Sequence, residues 1–224
     1  MARIYSLRAG FAPRAQFTYN LNFHADAIPS SSLPAETERG LLTLTVGDRP
    51  PGAKDIPLTI EIRISEHKIG DQIQKISNKP LSFSLKLVDV NNNSFRCPPP
   101  SVNPLVKSED GAEFKKLARA ILVIIPPGPL KGYVKDGSVF VDAVQVGSVN
   151  DSVNVLRYTV SIKDGSIELD KPMSDPSPDG FGQGFRSTFT AGVCQSGFAE
   201  VCLMRNNVIQ QHWKLNVSLD KPAH

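Results

Sequence analysis

The chain is a succession of short segments in which apolar and polar residues alternate, separated by Asp-Gly, Asn-Asn and Pro-Pro breaks. Alternation puts every second side chain on the same side of an extended backbone. Each segment therefore predicts a strand with one buried and one wetted face. The clearest is PLTIEIRI at 57–64, with Leu58, Ile60, Ile62 and Ile64 on one face and Thr59, Glu61 and Arg63 on the other. FTYNLNF at 17–23 repeats it through Phe17, Tyr19, Leu21 and Phe23, as do LLTLTV at 41–46 and LSFSLKLVDV at 81–90. In the last of these the phase changes at Val88, where a bulge or a strand end is expected.

Later segments carry turn chemistry as well as alternation. KDGSVFVD at 135–142 and KDGSIELD at 163–170 share Lys-Asp-Gly-Ser and a closing Asp, and in both the Asp-Gly pair suits a tight hairpin. FAEVCLM at 198–204 and VIQQHWKLNVSL at 208–219 flank Arg205-Asn206-Asn207, a third hairpin. Its second arm lines up Trp213, Leu215, Val217 and Leu219, which makes the single tryptophan a core anchor.

One segment has helical spacing. Asp110 is a cap with Glu113 three residues on, and Phe114, Leu117, Ala118, Ile121 and Ile125 form one apolar stripe that ends at Pro126 and Pro127. The expected fold is mainly β: an antiparallel sandwich or barrel of about ten short strands, with one covering helix over about 110–124. The expected organisation is a basic arm over 1–16, a single β-rich domain over 17–220 and a tail over 221–224.

Composition narrows the class. With 40% hydrophobic and 21% charged residues, the 224-residue chain has the make-up of a globular protein. Its longest apolar run, AILVII at 120–125, is far shorter than the roughly 20 residues of a membrane-spanning helix. Net charge is +3, mildly favourable to an anionic partner. Three scattered cysteines argue against a disulfide framework, and with no apolar leader an intracellular, non-secreted setting is expected. The first 25 residues hold no acid but include Arg3, Arg8 and Arg14. That composition would suit a transit peptide, but the strand pattern from Phe17 onward favours a basic arm.

No catalytic or metal constellation is evident. Cys194, Cys202 and His212 are spaced too widely for a zinc site, and no motif surrounds Cys97 as a nucleophile with His24, His67 or His212 as its base. Glu61, Glu113 and Glu200 have nothing in the sequence to bring them together. The expectation is a non-enzyme without cofactor or metal. Function then falls to loops and basic positions. Arg3, Arg8, Arg14, Lys115, Lys116, Arg119 and Lys131 are the candidates for RNA or an anionic membrane surface. Leu130, in PPGPLKG at 126–132, and Phe181, Phe185 and Arg186, in the Pro/Gly-rich stretch 170–186, are the candidate loop contacts. Glycines interleaved with those aromatics suit base stacking or the clamping of a partner.

The basic arm, the short strands, the covering helix and the long Pro/Gly loops together resemble small structural proteins of RNA viruses, of coat or matrix type. That resemblance implies a virus-encoded, self-associating protein of the host cytoplasm and virion, with RNA, anionic membrane or other virion proteins as partners. More locally, Leu87-Val88-Asp89 and Ala191-Gly192-Val193-Cys194 resemble motifs of plant-virus cell-to-cell movement proteins, at a longer spacing. This implies a nucleic-acid transport role as the alternative. A cellular β-sandwich interaction module is the third reading.

Overall fold

The computed structural model describes residues 4–5, 10–49, 51–53, 55–76, 79–89, 95–96, 123–125, 130–135, 138–146, 153–174, 176 and 178–221. These form β1 (Ile4–Tyr5), β2 (Gln16–Ala25), β3 (Glu36–Val46), β4 (Asp55–Ile69), β5 (Gln72–Ile73), β6 (Leu81–Asp89) and β7 (Phe95–Arg96). There follow β8 (Leu130–Lys135), β9 (Ser138–Val146), β10 (Val153–Lys163), β11 (Ser166–Lys171), β12 (Phe181–Thr190), β13 (Val193–Arg205) and β14 (Val208–Lys221). All belong to one antiparallel sheet, ordered β1-β8-β9-β10-β11-β12-β13-β14-β2-β3-β4-β6-β7, with β5 paired to the end of β4. The protein is mainly β, as the alternation predicts.

Most neighbours in the sheet are also neighbours in sequence, joined by tight turns. Asp164-Gly165, Ala191-Gly192 and Asn206-Asn207 each hold two successive residues at positive φ, between 49° and 78°. That backbone twist matches the twist of the strands it joins. The main long-range pairing is β14 with β2, which places Leu215 opposite Phe23 and Val217 opposite Leu21. The first and last thirds of the chain thereby share a sheet.

The apolar face is continuous across this junction. Phe17, Tyr19, Leu21 and Phe23 of β2, Leu42, Leu44 and Val46 of β3, and Leu58, Ile60 and Ile62 of β4 are buried in one cluster. Leu169, Phe189, Cys194, Ala199, Leu215 and Val217 from β11 to β14 complete it. Burying each large side chain contributes roughly 1.5–3 kcal/mol, so this face, rather than strand propensity, holds the sheet. Trp213 packs on its margin, its ring 5.9 Å from that of Phe23.

Val123, Ile124 and Ile125 lie buried against the same face. Ser187 Oγ donates to the Val123 carbonyl at 2.9 Å, and Gly197 makes room, since a Cβ there would stand 2.8 Å from Val123 Cγ2. Residues 123–124 are helical; the remainder of the expected covering helix, over 110–122, lies outside the described residues.

Two expectations about the loops are corrected. Phe185, taken as a loop contact, is a strand residue 6% exposed, packed in the core. The stretch 170–186 is not one long loop: Asp170 and Lys171 end β11, β12 begins at Phe181, and only 172–180 connect them. The glycines of this stretch serve packing. A Cβ on Gly182 would lie 2.2 Å from the Ser174 carbonyl oxygen, and one on Gly184 2.9 Å from the Met173 nitrogen. The connection folds back across these two bare positions.

Candidate functional site

Several features gather at the end of the sheet where β2 finishes and β14 begins. The first is a chain of polar side chains on the face turned away from the core. His24 lies opposite Lys214 in the β2–β14 ladder, and Glu200 lies opposite Lys214 in the β13–β14 ladder. Asp26 follows β2 and is fixed by its own N–H donating to the His212 carbonyl at 2.9 Å.

Asp26 stands between two histidines, with Oδ1 3.0 Å from His24 Nε2 and Oδ2 2.5 Å from His212 Nδ1. The other ring nitrogen of His212 is 2.8 Å from Glu200 Oε1, and that of His24 is 3.3 Å from Thr37 Oγ1. His212 thus has a carboxylate oxygen against each of its ring nitrogens. The chain laces β3, β2, β14 and β13 together through residues far apart in sequence.

Burial pushes the Asp26 carboxyl up, but the hydrogen bonds and charges of His212 and His24 outweigh it and hold the pKa below the ordinary 3.8. A carboxyl depressed in the folded state stabilises above its unfolded pKa, and that contribution is lost as pH falls through the lower folded value. Asp26→Asn should therefore lower the melting temperature at neutral pH. It should also flatten the loss of stability below about pH 4, where the native carboxylate takes its proton. Melting curves of both proteins between about pH 2 and pH 7 read this directly. Parallel curves across that range would refute the assignment.

The second feature is apolar and exposed. Where β13 and β14 run past the core to their shared turn, Leu203, Val208 and Ile209 are 38%, 41% and 43% exposed. Ser30 Oγ donates to the Ile209 carbonyl at 3.4 Å, tying the short turn over 28–33, with its exposed Leu33, to the same end. The hairpin is braced from behind by the Pro/Gly connection. Met204 N donates to the Gly180 carbonyl at 2.8 Å, Asn207 N to the Pro178 carbonyl at 3.1 Å and Asn206 N to Asp179 Oδ1 at 2.7 Å. The ledge is thus held rigidly in place.

The positions singled out from the sequence are distributed differently. Arg14 is fully exposed with φ at 65°, and its guanidinium grips Asp48 at 2.8 and 3.0 Å, so its charge is locally balanced. Its backbone N–H also donates to the Val46 carbonyl at 3.0 Å, which attaches this part of the arm to the sheet. Arg186 is exposed but paired with Asp170 at 3.0 Å. Leu130 and Lys131 open β8, where they pair with Tyr5 and Ile4. Phe181 opens β12 opposite Leu203. Arg3, Arg8, Lys115, Lys116 and Arg119 lie outside the described residues, as does Cys97.

The two described cysteines do not combine. Cys194 is in the core, where burial pushes its thiol up to about 12, so it remains protonated and inert. Cys202 lies opposite His212 on the other face, its thiol also raised, by burial first and then by Glu200. Compared with known protein families and with curated proteins, the chain matches none.

Proposed function

We propose that the protein is a non-enzymatic, self-associating structural protein of coat or matrix type, and that copies meet through the ledge at the end of the β13–β14 hairpin. The observation that carries this reading is that Leu203, Val208 and Ile209 are all left exposed at the end of one braced hairpin, Leu203 and Val208 on one face and Ile209 on the other. Exposed apolar side chains grouped on a rigid element mark contact surfaces, whereas single ones do not. A stable interface buries more than about 1,000 Å² in total, so this ledge alone gives weak pairwise contact. Repetition through an assembly converts weak contact into avidity. The mildly positive chain, at +3, then meets RNA or an anionic membrane as an array rather than as a single subunit.

Sedimentation velocity over a range of concentrations tests this. The wild-type coefficient should rise with concentration. Ile209→Lys, which charges the ledge without touching the core, should hold it at the monomer value with unchanged circular dichroism. A wild type that stays monomeric throughout, or a variant that assembles equally well, would refute the proposal.

A further inference from the structure

At the same end of the sheet, but on the core-facing side, three metal-ligating side chains converge. Glu36 and Glu38 are two residues apart on β3 and therefore share a face. His67 of β4 lies opposite Glu38. It reaches that face only because of a β-bulge. Gly40 pairs with Ile64 but Arg39 pairs with Glu66, so Ser65 is the extra residue. Without it the inward alternation of Ile60, Ile62 and Ile64 would continue through Glu66 and Lys68, and His67 would face away. Bulges are a recurrent means of re-aiming a side chain at a functional position.

The resulting geometry is that of a ligand set. His67 Nε2 is 2.9 Å from Glu36 Oε1 and 3.5 Å from Glu38 Oε1, and one donor atom from each residue lies within 4.8 Å of the others. Bonds of about 2.0–2.2 Å to one ion put neighbouring donors about 2.9 Å apart in an octahedral arrangement and about 3.4 Å apart in a tetrahedral one. The 2.9 Å contact is a hydrogen bond of the chain itself, and both distances from the imidazole lie in the range that two donors to one ion span.

Burial adds the electrostatic argument. Glu38 is 1% exposed and lies opposite Phe23, at a position where the strand pattern otherwise calls for an apolar residue. Gathering two carboxylates there costs heavily unless positive charge joins them. Glu36 and His67 are each about one-fifth exposed, which leaves an entry path and room for water ligands.

We infer that Glu36, Glu38 and His67 form a binding site for a divalent transition metal of the zinc or manganese class. Two carboxylates with one imidazole favour these ions over calcium, which prefers an all-oxygen shell. The metal and a proton compete for the same Nε2 lone pair, so affinity should rise with pH.

Isothermal titration of the full chain with zinc chloride tests this, with calcium chloride as the comparison ion. One zinc site per chain is expected, tighter at about pH 7.5 than at about pH 5.5. His67→Ala and Glu36→Gln should each weaken it at least about tenfold. His212→Ala, which removes the histidine on the opposite face, should leave it unchanged. Cobalt(II) gives a second readout, since its visible absorption should change on binding and fail to do so in His67→Ala. Circular dichroism confirms that the variants fold. Absent zinc binding, zinc binding indifferent to His67→Ala, or binding lost in His212→Ala would overturn the assignment.

Discussion

Phe23→Ala should lower the unfolding free energy by about 3–5 kcal/mol, the cost of removing a large buried ring and leaving its cavity. Phe23 is 2% exposed at the junction of the two parts of the sheet, opposite Leu215 on β14 and Glu38 on β3, with Trp213 packed on its ring. Little can move in to fill the space, because its neighbours are anchored by ladders on both sides. As Trp213 is the only tryptophan, denaturant unfolding followed by its fluorescence reports on this junction. The native emission of the variant should itself shift to longer wavelength as water reaches the indole. Asn22→Ala, one residue away on the exposed face, should change stability by less than about 0.5 kcal/mol. Equal effects at the two positions would mean that the assigned faces are wrong.

Gly182→Val should detach the connection 172–180 while leaving the sheet folded. Any Cβ at this position meets the Ser174 carbonyl oxygen at 2.2 Å, and backbone cannot yield as a flexible side chain would. Relief requires the 173–176 segment to lift. That breaks the bond from Ser174 N to the Gln183 carbonyl at 3.3 Å and the one from Gln183 N to Ser174 Oγ at 3.1 Å. With net values near 1 kcal/mol per hydrogen bond and the lost packing added, the expected destabilisation is about 2–3 kcal/mol. A nonspecific protease should then cut between 172 and 180 under conditions where the wild type resists. Unchanged resistance would show that the connection does not depend on the bare glycine. Because 178–180 brace the β13–β14 turn, the same variant should also loosen the apolar ledge.

The apolar alternation was legible because it reports a local fact, the side of the strand on which each residue falls. Leu58, Ile60 and Ile62 are buried as their spacing predicts, and so are Phe17, Tyr19, Leu21 and Phe23. The Asp164-Gly165 and Asn206-Asn207 turns follow from residues that tolerate positive φ. Strand ends were less legible where the inward residues are polar. β3 begins at Glu36, five residues before the apolar run, because Glu36 and Glu38 face inward as carboxylates.

The glycines and aromatics of 170–186 read as loop residues because composition does not distinguish a flexible glycine from one that another segment packs against. The polar clusters were not legible at all. Asp26 and His212 are 186 residues apart, and His67 faces Glu38 only through an inserted Ser65. Pairing register and a bulge, which a single sequence does not print, create both.

The measurement that bears most directly on the working surface is chemical cross-linking between copies. Ile209→Cys on the ledge and Thr59→Cys on the exposed face of β4, each in a Cys97→Ser background, would be treated with a bifunctional thiol reagent in solution. Cys194 and Cys202 are buried and should not compete. If copies meet at the hairpin end, the chain bearing Cys at 209 is captured as covalent pairs and the one bearing Cys at 59 stays single. Capture at 59 but not at 209, or at neither under conditions where the protein sediments as an oligomer, would contradict the account.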